Sequence, residues 1–392
     1  MKILFTRFPL ESTFGGAEVQ TLSLMEGLMA RGHAVAFLGS CPVLLEECEK
    51  RHIIAAELQI GDPPVTKWGA ISFAWRKQKM AKILSAALNE FGDLDAICML
   101  SMSEKLLLTK PATEKGIKVL WVEHDRIGRW LEKNPWLPKL LKASEHATTV
   151  AVSKLTRERY LELGWKPEYV VDIVNGVDAA HLESRIVNSE SWDNETATQN
   201  SEFKIQNSAL RLGCVARLSE DKGVSLLIEA MSDLPDVSLA IVGKGPEEQK
   251  LKAMVAAITK HEGKERITIE PKAESIGDFY RSIDALVLPS PLMDPCPLAP
   301  MEALWVGTPV ILTSACGTAG YLEDGKEAMV VEPQSVSALR EAVLAIQDDK
   351  HRKSLAAAGQ KAAKEKFGME RMIEEYLLLL RAPRDRGDKR DK

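Results

Sequence analysis

Apolar residues fall along this chain in short runs separated by amphipathic stretches. Ile3–Thr6 is the first run, followed by a loop containing Gly15-Gly16. Val19, Leu22, Met25, Leu28 and Met29 then recur at helical spacing. Further runs at Ala34–Leu38, Ala96–Leu100, Val119–Val122, Thr148–Val152 and Val170–Val174 read as strands. Strands alternating with helices predict parallel pairing through right-handed crossovers, with both faces of the sheet covered.

The rhythm breaks at Asn175-Gly176-Val177-Asp178 and the composition turns polar between Val187 and Gln206. It resumes with strands at Leu210–Ala216, Val237–Val242, Ile267–Ile269, Ala285–Leu288, Pro309–Thr313 and Ala328–Val331. Helices are predicted at Val224–Met231, Glu247–Lys260, Val336–Gln347, His351–Lys366 and Met369–Leu380. The pattern predicts an α/β protein of two Rossmann-like, doubly wound domains. The first spans residues 1–185, with a C-terminal helix at 367–383 packing back on it. A polar linker or insertion covers 186–208, the second domain 209–366, and a charged tail 384–392.

Composition narrows the function classes. The 392 residues exceed what one core usually supports. A net charge of −5 gives no bulk electrostatic case for nucleic-acid binding. Cys41, Cys48, Cys98, Cys214, Cys296 and Cys316 form no CxxC pair, which suits reduced thiols better than disulfides or a zinc site. Met1 leads directly into the first strand, and no apolar run approaches the roughly 18 residues of a membrane span. The expectation is a cytoplasmic protein, at most peripheral on the inner face of the plasma membrane.

In open α/β sheets ligands gather outside the carboxyl ends of the strands, so the strand exits carry the chemistry. Gly15-Gly16-Ala17-Glu18 opens a helix, where glycines and free N–H groups suit a phosphate; a plain loop is the alternative. Arg217 and Lys222 leave one strand end together beside Gly223, as a diphosphate site or a solvated charge cluster. Gly243-Lys244-Gly245-Pro246 lacks the third glycine of a dinucleotide fingerprint, so a tight turn beside a nucleoside fits better than NAD. Asp294 lies in a proline-rich loop and Glu302 in the first turn of a helix expected near Pro300. Such carboxylates offset the helix dipole or accept hydrogen bonds from hydroxyl groups. His124 ends a strand, as a structural or a functional imidazole. Asp93 and Asp95 precede a strand, the wrong end of the sheet for a metal site, and no metal is expected.

The order and spacing of these segments resemble the retaining GT-B glycosyltransferases of family 4. The resemblance adds Gly32-His33, Val152-Ser153-Lys154 and Asn175-Gly176-Val177-Asp178, and runs over nearly the whole chain. It implies two domains facing a central cleft and a nucleoside-diphosphate sugar as donor. It further implies Arg217 and Lys222 on the diphosphate, Gly16 near the phosphate, and Glu302 on the ribose hydroxyls. Asp294 would hold hydroxyls of the transferred sugar, and His124 would contact that sugar. Two residues depart from the family pattern. Asp294 replaces a Glu, shortening the reach by roughly 1.5 Å, and Pro297 replaces a glycine, removing one N–H while Leu298 and Ala299 can still donate.

The implied reaction is metal-independent transfer with retention, in which cations and helix N-termini stabilise the leaving diphosphate. No carboxylate pair flanking a glycosidic bond is evident, as a hydrolase would need. A sugar-nucleotide epimerase and a non-catalytic nucleotide-sugar binding protein are the competing readings; an NAD-dependent dehydrogenase is disfavoured. The acceptor is expected to be a saccharide or a lipid-linked molecule of polysaccharide or cell-envelope biosynthesis. Residues 64–88, with Lys67, Trp68, Phe73, Trp75, Arg76, Lys77, Lys79 and Lys82, are a candidate contact for an anionic membrane surface. A solvated helix with its aromatics packed inward is the alternative.

Overall fold

The computed structural model describes residues 1–10, 15–183 and 210–382. The expected linker at 186–208 and tail at 384–392 lie outside the described residues. The chain divides into two compact units, Met1–Asn175 with Glu370–Lys392, and Gly176–Met369. The division falls at Asn175–Gly176 rather than at residue 185. The short helix Ala179–Glu183 goes with unit 2 because the backbone at Leu182 packs against Gly277.

Unit 1 is built on a parallel sheet. Its strands are β1 (Lys2–Arg7), β2 (Ala34–Gly39), β3 (Ile54–Glu57), β4 (Ala96–Met99), β5 (Lys118–Glu123), β6 (Thr148–Ala151) and β7 (Val170–Asp172). They lie in the order β3-β2-β1-β4-β5-β6-β7. Every residue of β4 is buried, as is β1 after Lys2, because helices cover both faces. β3 was not anticipated from the sequence: Ile54, Ala55 and Glu57 are exposed, so this edge strand carries no apolar alternation. From Glu370 the last helix packs on this unit. Ile373 lies against Gly27, Arg31 pairs with Glu370 and, at 3.1 Å, with Glu374, and Arg371 donates to Val174 O at 2.6 Å.

Unit 2 has β8 (Leu210–Val215), β9 (Val237–Val242), β10 (Ile267–Glu270), β11 (Ala285–Leu288), β12 (Val310–Thr313) and β13 (Met329–Val331), all parallel. Their order is β10-β9-β8-β11-β12-β13. Leu212, Cys214, Leu239, Ile241, Val287 and Ile311 form its core with Leu227, Ile228 and Val343 from the flanking helices. In each sheet the strand order reverses once, between β1 and β4 and between β8 and β11. Diverging loops open a crevice at such a point.

All six cysteines are buried free thiols. Burial pushes Cys98 and Cys214 up to about 12, so neither presents a thiolate near neutral pH. Among the described residues no helix is long and apolar enough to cross a membrane, and no cluster of three His, Cys, Asp or Glu could hold a metal ion.

Candidate donor site and acceptor pocket

The loop after β8 is zipped to the loop after β9. Leu218 N–H donates to Lys244 O and Glu247 N–H to Leu218 O, both at 2.9 Å. A Cβ at Gly243 would overlap the Ala216 carbonyl oxygen, and one at Gly245 the Leu218 carbonyl oxygen. Both glycines therefore have a packing role: they let two backbones touch and fix the loop that carries the cations. A single 3-10 turn, Glu220–Lys222, follows and Gly223 starts the helix Val224–Met231.

Asp294 arrives from the loop after β11. Its N–H donates to Ala315 O at 2.9 Å, and Gly317 N–H donates to its carbonyl at 2.8 Å, tying it to the loop after β12. Lys222 Nζ donates to Asp294 Oδ2 at 2.6 Å, and Ser290 Oγ donates to the same oxygen at 3.0 Å. The contact spans the strand-order reversal between β8 and β11. Asp294 is only 6% exposed, whereas Lys222 is half-buried and Arg217 exposed. Lys222 and Asp294, placed by the sequence reading on a phosphate and a sugar, are thus partners of each other.

The helix after Asp294 is Leu298–Trp305, with Pro297 at its N-cap. It begins two residues before Pro300, so Glu302 lies in its second turn rather than its first. Leu298 and Ala299 head the helix, where N–H groups lack intrahelical acceptors. Tyr280, fully buried, donates its hydroxyl to Glu302 Oε2 at 2.7 Å and so orients that carboxylate. Burial, then the Glu302 charge, holds the Tyr280 phenol well above its ordinary range, keeping it a donor. Neither Tyr280 nor Ser290 was singled out from sequence. A buried tyrosine needs a partner, but nothing in the pattern says which.

In unit 1, Gly15 caps the helix Gly16–Ala30, and its carbonyl accepts from Val19 N–H at 3.0 Å. Glu18 in the first turn is buried and pairs with Arg7 at 2.7 Å. Burial raises the Glu18 carboxyl and Arg7 opposes the rise. His124 follows β5. Burial, with the charges of Arg7 and Lys105, lowers its pKa to about 3, so it is a neutral imidazole at physiological pH.

Arg7, with the residues on either side of His124, lines a pocket of about 330 Å³ within unit 1. Arg7, Phe8 and Leu10 come from the β1 exit, Leu100, Ser101 and Met102 from the β4 exit, and Glu123 and Asp125 from the β5 exit. Ile127, Trp130, Leu131 and Leu140 supply apolar walls. Lys105 lines it too, ion-paired with Glu123 at 2.8 Å; both side chains are nearly buried. Burial and the neighbouring Glu123 charge hold the Tyr160 phenol protonated at the pocket wall. Apolar walls with a few fixed polar groups fit an amphipathic small molecule. The sequence reading had missed this pocket apart from its neighbour His124.

Behind the pocket wall, Ser101 and Glu104 form a capping box for the helix Met102–Glu114, with Ser101 N–H donating to Glu104 Oε1 at 2.7 Å. Glu104 is fully buried and its Oε2 has no hydrogen-bond partner. Burial raises its pKa from 4.5 to about 8. The native state therefore keeps a proton that the unfolded chain releases, so this contribution to stability is full below about pH 4.5 and lost as pH rises through 8. Urea unfolding is expected to show stability falling by a few kcal/mol over that window, at about 1.4 kcal/mol per pH unit at most. Glu104→Gln should flatten the fall, because the amide keeps an acceptor for Ser101 and does not titrate.

Two family models cover most of the chain. The one described as Glycosyltransferase Family 4 matches residues 14–181, and the one described as Glycosyl transferases group 1 matches residues 196–365. The chain belongs to the GT-B group 1 glycosyltransferases. A putative colanic acid biosynthesis glycosyltransferase of Salmonella typhimurium is 28% identical over 197 residues, 48% of this chain and 44% of that protein. A lipopolysaccharide core biosynthesis glycosyltransferase of Rhizobium meliloti is 25% identical over 224 residues, 57% of this chain and 61% of that protein. The chain spans about half the length of the curated relatives it matches. Among solved structures, Anabaena HepE in complex with UDP superposes with a TM-score of 0.78 at 18% identity, over 97% of this chain and 99% of that one. A glycosyltransferase from Rickettsia africae gives 0.76 at 19% identity, over 97% of each chain. These neighbours share the GT-B architecture with this chain.

Proposed function

We propose that the protein transfers a sugar, with retention of anomeric configuration, from a nucleoside-diphosphate donor to a hydroxyl of a saccharide or lipid-linked acceptor in polysaccharide or cell-envelope biosynthesis. The observation that carries the donor assignment is the meeting of Lys222 and Asp294 between β8 and β11, on loops that also carry Arg217 and the helix start at Leu298 and Ala299. As the bond from the sugar to the diphosphate breaks, negative charge builds on the leaving group. Arg217, Lys222 and the helix N–H groups stabilise it, so no metal is required. The acceptor hydroxyl attacks from the leaving-group side and passes its proton to a phosphate oxygen of the donor. Asp294 accepts from hydroxyls of the transferred sugar, and Glu302, oriented by Tyr280, from those of the ribose. Gly16, at its helix start, serves the phosphate, and neutral His124 hydrogen-bonds the sugar without acting as an acid. The amphipathic pocket of unit 1 takes the acceptor.

The likeness to colanic acid and lipopolysaccharide glycosyltransferases supports this class of acceptor, and the UDP and UDP-glucose complexes of HepE support a nucleotide-sugar donor. A thermal-shift screen against UDP, GDP, ADP, CMP and NAD in EDTA tests the donor. One nucleoside diphosphate should stabilise the protein by about 2.7 kcal/mol at a hundred times its Kd, and Arg217→Ala should abolish the shift. A response to NAD alone, or to no diphosphate, sinks the reading. Proton NMR of the product formed from an α-linked donor should give an α-linkage, and a β-linkage would exclude retention.

A further inference from the structure

The helix Lys67–Glu90 carries a surface that the donor and acceptor sites do not use. Its inner face, Ala70, Phe73, Met80, Leu84 and Leu88, is buried. Thr66 Oγ1 caps its first turn, accepting from Gly69 N–H at 2.9 Å. Two side chains from the segment after β5 clamp it. Trp136 Nε1 donates to Ala70 O at 2.8 Å and stacks edge-on with Phe73, and Asn134 Nδ2 donates to Pro64 O at 2.6 Å. The outer face is therefore held rigidly.

On that outer face Trp68 and Trp75 are 80% and 78% exposed and Ile71 is 48% exposed. Their spacing of three and four residues puts them on one stripe. Lys79 and Lys82 continue the stripe and Lys67 begins it, all three exposed. From Lys67 to Asn89 the sequence holds five cations and no carboxylate, in a chain whose net charge is −5. Elsewhere surface lysines pair along their own helices, as Lys50 does with Glu46 and Lys252 with Glu248. Among the described residues no carboxylate pairs with Lys67, Lys79 or Lys82.

Exposed tryptophans need an apolar or interfacial neighbour, and unpaired lysines beside them need anions. We propose that this face docks flat on an anionic lipid bilayer, Trp68, Ile71 and Trp75 entering the headgroup boundary and Lys67, Lys79 and Lys82 meeting the lipid phosphates. A second copy of the chain fits less well, because like-charged faces would oppose each other. Val65 and Thr66, which lead into the helix, also line the unit 1 pocket, so docking brings the bilayer to an acceptor carried by a lipid.

The test is co-sedimentation of the full chain with vesicles, without donor or acceptor, so its result stands apart from the transfer reading. The protein should pellet with vesicles of phosphatidylcholine and phosphatidylglycerol in equal parts, be released by added salt, and stay in solution with phosphatidylcholine alone. Trp68→Ser with Trp75→Ser, and separately Lys79→Glu with Lys82→Glu, should each weaken binding at least tenfold while leaving the thermal midpoint in place. Failure to pellet with the anionic vesicles overturns the proposal, as does pelleting that survives the tryptophan pair of substitutions. A dimer in gel filtration that those substitutions dissolve overturns it in favour of a second copy.

Discussion

Replacing Lys222 by alanine is expected to lower kcat/KM for sugar transfer by about 10²–10³-fold, the cost of removing one preorganised charge from a developing oxyanion. Two effects add here. The cation proposed to face the leaving diphosphate is lost, and Asp294 is left as a buried carboxylate with Ser290 as its remaining side-chain donor. An uncompensated carboxylate would also repel the diphosphate. Leaving one member of a buried pair alone costs up to about 3–5 kcal/mol, and the partial exposure of Lys222 puts the expected loss nearer 1–3 kcal/mol. Lys222→Ala combined with Asp294→Asn separates the two effects: urea unfolding should recover while activity stays low. If Lys222→Ala keeps kcat/KM within tenfold of the parent, Lys222 does not face the leaving group and the donor site lies elsewhere.

The pairing behind that prediction shows what the sequence could and could not say. Strand exits were legible because β9, Val237–Val242, is buried along its whole length and reads as an apolar run interrupted only by Ser238. Arg217, Lys222 and Asp294 could then be placed at such exits. Their contact could not, because Lys222 and Asp294 are 72 positions apart and meet only because β11 inserts beside β8. Apolar periodicity carries no record of strand order. β3 was missed for the opposite reason: an edge strand exposing Ile54 and Glu57 leaves no alternating pattern.

Local spacing was likewise silent on which aromatics of the helix Lys67–Glu90 turn inward. Phe73 is fully buried and Trp75 exposed, two positions apart, because Trp136 occupies one side of the helix only. Nothing in the sequence pattern singles out Lys105. Its burial against Glu123 follows from the adjacency of β4 and β5, so the unit 1 pocket emerged only with the fold.

Gly223→Ala is expected to cost unit 2 both stability and donor affinity. Gly223 ends the turn Glu220–Lys222 and begins the helix Val224–Met231 with φ +67°. A left-handed conformation alone costs alanine about 1–2 kcal/mol. A Cβ here would also overlap the Pro289 carbonyl oxygen and stand 2.7 Å from Pro291 Cδ, on the loop that leads to Asp294. That loop leaves the buried strand β11 and has little room to yield. The expected total is about 3–4 kcal/mol in urea unfolding, with donor affinity falling as Lys222 is displaced. Gly263 is the internal control: it has the same φ of +67° at a helix end, but a Cβ there meets nothing within 4 Å. Gly263→Ala should therefore show only the conformational cost, and leave donor affinity unchanged. Equal losses from the two substitutions would mean that the approach of Pro289 is not what requires glycine at 223.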